Sequence, residues 1–196
     1  MGGIVAIVGR PNVGKSTLFN RLIQKKDAIV DESSGVTRDR HYGKSDWNGK
    51  EFTVIDTGGY LKLGDDVFQK EIDKQVIIAI EESDVILFVV DVKDGLNGMD
   101  ETIAKLLHKT SKPVLILVNK VDNSKLIKSS NEFYSIGFDS LFCISSINGQ
   151  GSGELLDELV KLLPEKESVE DLVPKFSVIG RPNAGKSSFI LSLIHI

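Results

Sequence analysis

The chain has 196 residues, 41% of them apolar and 27% charged, which is room for one good-sized globular domain and a remnant. Its 24 Lys and Arg against 28 Asp and Glu give a net charge of −4. No basic surface is advertised, so RNA contact is not expected mainly through this chain. Cys143 is the single cysteine, so no intrachain disulfide is expected; it sits in an apolar run and reads as a buried, inert strand residue. The start has neither the basic region nor the apolar core of a signal peptide. Residue 6 is Ala, where a myristoylation signal needs Ser or Thr. The longest apolar runs are far shorter than the ~20 residues that cross a bilayer. A cytoplasmic protein with no membrane partner is the expectation.

Short apolar runs alternate with amphipathic stretches, which predicts an α/β fold of three layers with a mostly parallel sheet. Residues 4–8 read as a buried strand and 15–24 as the helix after it. Residues 41–47 and 51–55 flank Asn48-Gly49, a strong two-residue hairpin signal, so one antiparallel pair joins the sheet. A helix is expected over 67–82, a strand over 85–90, a helix over 99–109 and a strand over 114–118 after Pro113. Residues 126–135 form a weaker helix pattern, 141–144 a last strand, and 154–163 a helix stopped by Pro164.

Beyond residue 164 the texture changes. Residues 165–174 are acidic, nearly free of apolar clustering and closed by Pro174, and read as a linker between a first domain over 1–164 and a fragment over 175–196. Within that fragment Gly180-Arg181-Pro182-Asn183-Ala184-Gly185-Lys186-Ser187 nearly copies Gly9-Arg10-Pro11-Asn12-Val13-Gly14-Lys15-Ser16, the signature of a tandem repeat. With so little of its sheet, the second copy is expected to fold poorly and not to bind nucleotide. Residues 191–196 depart from the first copy and read as a non-native end.

The octapeptide Gly9–Ser16 fits G-x-x-x-x-G-K-[ST] and lies between a predicted strand and helix, as that phosphate-binding loop requires. Its glycines let successive N–H groups, including those near Val13, Lys15 and Thr17, converge on phosphate oxygens at a helix N-terminus. Lys15 supplies a point charge for the β- and γ-phosphates, and the Ser16 hydroxyl can enter a Mg²⁺ shell. Asp56-Thr57-Gly58-Gly59 satisfies D-x-x-G at a strand end. Asp56 there can hold the magnesium, and the Gly59 N–H can meet the γ-phosphate. Asn119-Lys120-Val121-Asp122 follows another strand and selects the base. A carboxylate at Asp122 accepts from guanine N1–H and the 2-amino group, whereas adenine leaves it unpaired. The cofactors implied are GTP or GDP and Mg²⁺.

Together with Thr37 and Ser145-Ser146, these segments resemble the five motifs of the translation-factor-like class of P-loop GTPases. Gly-Arg-Pro-Asn in both phosphate loops, with Gly35-Val36-Thr37-Arg38-Asp39-Arg40 between motifs, is similar to the bacterial family with two such domains in series. That resemblance implies a GTP-hydrolysing switch that serves assembly of the large ribosomal subunit. It implies that Thr37 closes over the γ-phosphate and completes the Mg²⁺ shell, and that Ser145 and Ser146 support the guanine, the latter through its N–H. It also implies that Asn12 binds K⁺ beside the phosphates, because Tyr60 stands where Ras-like relatives carry the water-orienting Gln. Ser146 and Ser34 replace the family's usual Ala and Pro. Arg38 and Arg40 stand among Asp31, Glu32 and Asp39 and read as solvated charges rather than arginine fingers, and His41, His108 and His195 show no metal-ligand spacing. Three rivals stand beside this reading. One is a GTPase of tRNA modification or metal transport, which the repeated loop disfavours. Another is a module that holds GTP with little hydrolysis. The third, an ATP-using kinase, fails on Asp122.

Overall fold

The computed structural model describes residues 2–23, 41–57, 74, 76–164 and 181. The chain divides into two compact units, Met1–Glu165 and Lys166–Ile196, and of the second only Arg181 is described. Thr37, Gly58, Gly59, Tyr60, both switch arginines, the linker and the rest of the second phosphate loop lie outside the described residues.

Six strands form one sheet: β1 Gly3–Val8, β2 His41–Trp47, β3 Lys50–Asp56, β4 Val85–Asp91, β5 Val114–Asn119 and β6 Leu141–Cys143. Their order is β2-β3-β1-β4-β5-β6, parallel throughout except for the β2–β3 pair. That exception is the hairpin expected from Asn48-Gly49. Both turn residues have positive φ, 48° and 80°, so the turn's twist matches that of its strands and pairs Trp47 with Lys50.

The pleat sends successive side chains of each apolar run to opposite faces and so divides each central strand between two cores. Val5 and Ile7 of β1, Leu87 and Val89 of β4, and Leu115 and Leu117 of β5 pack on one face. There they meet α1 (Lys15–Ile23) through Leu18 and Leu22, and α4 (Ser152–Leu162) through Leu155 and Leu159. Ala6, Val8, Ile86, Phe88, Ile116 and Val118 point to the other face. They pack against Val76 and Ala79 of a helical segment over 76–82, and against Ile103 and Leu107 of α2 (Gly98–Leu107). A sheet buried on both faces needs apolar residues at nearly every position, and all seven residues of β4 are buried. The three-layer α/β architecture is as expected.

Three local expectations are corrected. Residues 126–135 are not one helix. An α-helix, α3 (Ser124–Ser129), starts two residues earlier because the Asn123 side chain accepts from the N–H groups of Lys125 and Leu126. It gives way to a 3₁₀ turn, Ser130–Ile136, that ends on Gly137 at φ 85°. Helix α2 begins at Gly98 rather than 99, because Asn97 and Asp100 form a reciprocal capping box. Cys143 is half-buried rather than buried, with its Sγ donating to Ser130 Oγ at 3.1 Å. Among the described residues no helix is long and apolar enough to cross a membrane.

Candidate nucleotide-binding site

Parallel strands deliver their carboxyl ends to one edge of the sheet, the edge where open α/β folds bind ligands. The register shows what arrives there. Asp56 on β3 stands opposite Ile7 on β1, and Asp91 on β4 opposite Asn119 on β5. The loop from β1 to α1 takes three positive φ values, at Gly9 (152°), Asn12 (65°) and Gly14 (96°). A Cβ on Gly9 would run into the Val89 carbonyl, so glycine is needed for this close backbone approach. Val13 is fully buried and anchors the loop in the core, whereas Asn12, Ser16 and Thr17 are exposed. The first-turn N–H groups of α1 have no intrahelical acceptor and carry the positive end of the helix dipole.

Lys15 is 9% exposed and donates to the Arg10 carbonyl at 2.8 Å. Burial lowers its pKa from 10.5 to about 8, against the opposing pull of the Asp56 carboxylate, and with Arg10 adding to the lowering. A buried ammonium held at the mouth of a phosphate loop is poised to gain a stronger anion. Asp56 is 1% exposed at the end of β3. Thr57 beside it spends its hydroxyl on the Ile7 carbonyl at 2.7 Å, so its side chain serves the β1–β3 junction.

The base motif behaves as a joint between loops. Asn119 donates through Nδ2 to the Val13 carbonyl at 2.8 Å. Its Oδ1 accepts from the Ser146 N–H at 3.0 Å and the Ser146 hydroxyl at 2.9 Å. The amide that resemblance assigns to the guanine oxygen is therefore engaged by Asn119 here. Lys120, at φ 65°, lays its Nζ on the Asn12 carbonyl at 2.8 Å and pairs with the buried Asp91. Asp122 accepts from the Ser145 hydroxyl at 2.9 Å and from Lys93 Nζ at 2.6 Å. Lys93 first, and Ser145 second, hold its carboxyl below the usual carboxylate range. A pocket results that is lined by Gly14, Thr17, Asn119, Lys120, Asp122, Ser145, Ser146 and Ile147. Three separated motifs meet in it.

Several contributors lie outside the motifs. Arg21 on α1 donates through Nε to the Ser146 carbonyl and through Nη2 to the Ile147 carbonyl, which pins the wall of the pocket to the helix behind the phosphate loop. Arg10 turns to Asp94 at 2.9 Å and Asp100 at 3.3 Å, tying the phosphate loop to the start of α2. Burial pushes the Asp100 carboxyl up, and Arg10 pulls it partly back. Asp91, Lys93 and Asp94 follow from the same strand-end rule that located Asp56 and Asn119, since β4 ends at that edge too. For Arg21 no sequence signal points the way.

The donor set suits a nucleoside phosphate with a divalent cation: a buried ammonium at a helix N-terminus, hard oxygen donors at Ser16 and Asp56, and an ionised carboxylate in the adjoining pocket. Among the described residues no group of three or more His, Cys, Asp or Glu could hold a metal ion by itself.

A phosphate loop, a D-x-x-G strand end and an N-K-x-D joint on one edge of a mostly parallel sheet define the G domain of a P-loop GTPase. The model of the 50S ribosome-binding GTPase family (MMR_HSR1) matches residues 4–120, and the chain belongs to that family. It is 63% identical to GTPase Der of Christiangramia forsetii over 195 residues, which is 99% of this chain and 45% of that protein. To GTPase Der of Porphyromonas gingivalis it is 52% identical, again over 99% of this chain and 45% of the relative. The chain thus spans a little under half the length of these curated relatives. Among solved structures, a point variant of Aquifex aeolicus Era bound to GDP and AlF4⁻ is 31% identical with a TM-score of 0.68, covering 92% of this chain and 62% of that one. The G domain of the T. maritima iron transporter FeoB is 25% identical with a TM-score of 0.62, covering 83% of this chain and 99% of that one.

Proposed function

We propose that this protein binds GTP and GDP with Mg²⁺ and hydrolyses GTP to GDP and phosphate, as a switch acting in assembly of the large ribosomal subunit in the cytoplasm. The observation that carries the nucleotide reading is Asn119, whose one side chain joins the phosphate loop to the base-pocket wall. The ribosomal part draws on the family to which the chain belongs and on its similarity to the proteins named GTPase Der. In the domain plan we infer, 1–164 is a first G domain, 165–174 a linker and 175–196 the start of a second.

The residues divide the work by chemistry. Backbone N–H groups of Gly9–Thr17 and the Lys15 ammonium grip the phosphates, and Asp122 selects guanine. Ser16, Asp56 and Thr37 would hold Mg²⁺, which when bound neutralises charge on the β- and γ-phosphates. Gly58 and Gly59 would bring backbone to the γ-phosphate. The exposed Asn12, whose carbonyl is already fixed by Lys120, is free to offer its side-chain oxygen to K⁺. A cation there would stabilise charge that develops in the transition state.

Phosphate release from GTP tests this. Turnover should be faster in K⁺ than in Na⁺, the advantage should vanish in Asn12→Ala, and Asp56→Ala should slow turnover by about 10²-fold. Equal rates in the two salts would remove the potassium role. Rates for wild type and Asp56→Ala that both equal that of GTP alone would leave a protein that holds GTP without hydrolysing it.

A further inference from the structure

The carboxylate assigned to the base is held on both oxygens. Ser145 Oγ donates to Oδ1 at 2.9 Å, and Lys93 Nζ donates to Oδ2 at 2.6 Å. Ser145 lines the pocket, but Lys93 does not. The Lys93 side chain, 52% exposed, thus meets Asp122 at the solvent side of the carboxylate rather than among the residues that line the pocket. Each carboxylate oxygen has two acceptor sites, so one can serve Lys93 while the other remains for a purine N–H.

Lys93 is itself well placed to hold station. Its backbone N–H donates to Asp91 Oδ1 at 2.9 Å. Asp91 is fully buried and pairs with Lys120, whose Nζ rests on the Asn12 carbonyl of the phosphate loop. One buried carboxylate thus holds both the backbone that carries Lys93 and the lysine that reaches the phosphate loop.

We propose that Lys93 is a positioning residue for guanine recognition: it clamps the Asp122 carboxylate from behind, opposite Ser145, so that its pocket-facing edge stays aligned and ionised. The inference rests on the reading that Asp122 pairs with the base. It differs from a competing latch, in which Lys93 would occupy the acceptor that guanine needs. The charged groups facing Asp122 are Lys93 and Lys120, with Asp91 in turn facing Lys93. Without the ammonium, Asp122 loses the largest influence holding its pKa down, and it protonates at a higher pH.

The test is calorimetric titration of the full chain with Mg·GDP from pH 7 to pH 3, for wild type, Lys93→Met, Lys93→Arg and Asp122→Ala. Differences between variants at each pH cancel the titration of GDP itself. Lys93→Met should bind GDP about three- to fivefold more weakly at pH 7, the range of a partly exposed ion pair. Its loss of binding in acid should begin at a higher pH than in wild type, and Lys93→Arg should restore both properties. A global loss of folding would not shift the acid midpoint and be rescued by arginine. Tighter binding by Lys93→Met, or affinity and acid midpoint equal to wild type while Asp122→Ala loses GDP, would overturn the clamp alone. Unchanged GDP binding by Asp122→Ala would overturn the base-pocket reading beneath it.

Discussion

Asp122→Asn is expected to lower GDP affinity by a factor on the order of 10²–10⁴ while creating affinity for xanthosine diphosphate. The size follows from two charge-assisted hydrogen bonds, N1–H and 2-amino, each worth roughly 1.5–3 kcal/mol. A carboxamide presents one acceptor and one donor, so guanine's second donor meets another donor. Xanthine carries a carbonyl at that position and satisfies the amide. The substitution preserves the side chain's shape, Ser145 can still donate to the carboxamide oxygen, and the Lys93 pair that it gives up is solvent-exposed and contributes little to folding. The loss should therefore appear in binding and not in the melting temperature. Competition between fluorescent GDP and each unlabelled nucleotide measures it. GDP affinity within twofold of wild type would mean that Asp122 does not read the base.

Lys15→Met should cut GTP turnover by about 10²–10³-fold, the usual cost of removing one preorganised electrostatic contact to the reacting group. The nucleotide-free protein should be no less stable, since an apolar side chain of similar length relieves the desolvation of a buried ammonium. The pH profile separates this role from a packing role. In the free protein Lys15 has a pKa of about 8. Phosphate favours its charged form and raises that value, so binding takes up a proton at pH above 8. Nucleotide affinity should therefore hold steady below that pH and fall as pH rises through it, by up to about tenfold per pH unit. Lys15→Met should show no such fall. Calorimetry of wild type and variant between pH 7 and 9.5 checks both statements, and parallel profiles would assign the fall to another group.

What could be read in the chain and what could not divides along a physical line. Unbroken apolar runs at β1, β4 and β5, separated by amphipathic stretches, mark strands buried on both faces, and that was enough for a two-sided sheet. Asn48-Gly49 and the phosphate loop were legible because unusual backbone geometry demands particular residues at fixed spacing. Boundaries set by side-chain caps were harder. Asn97 and Asp100 spell a capping box, yet the apolar pattern of α2 starts only at Met99. The 3₁₀ turn over Ser130–Ile136 keeps its apolar residues Phe133 and Ile136 three apart, a spacing that an α-helix would also allow. Long-range charge partners were the least legible. Arg21 meets carbonyls 125 and 126 positions away, and Lys93 meets Asp122 across two strands. Nothing local marks such pairs, because their meeting is a product of strand order.

Calorimetric titration of the unmodified chain with Mg·GDP and Mg·ADP measures most directly whether these loops enclose one guanine-nucleotide site. A single GDP should bind per chain, with ADP weaker by about 10⁴-fold. Equal affinity for the two nucleotides, or no heat with GDP, would contradict it.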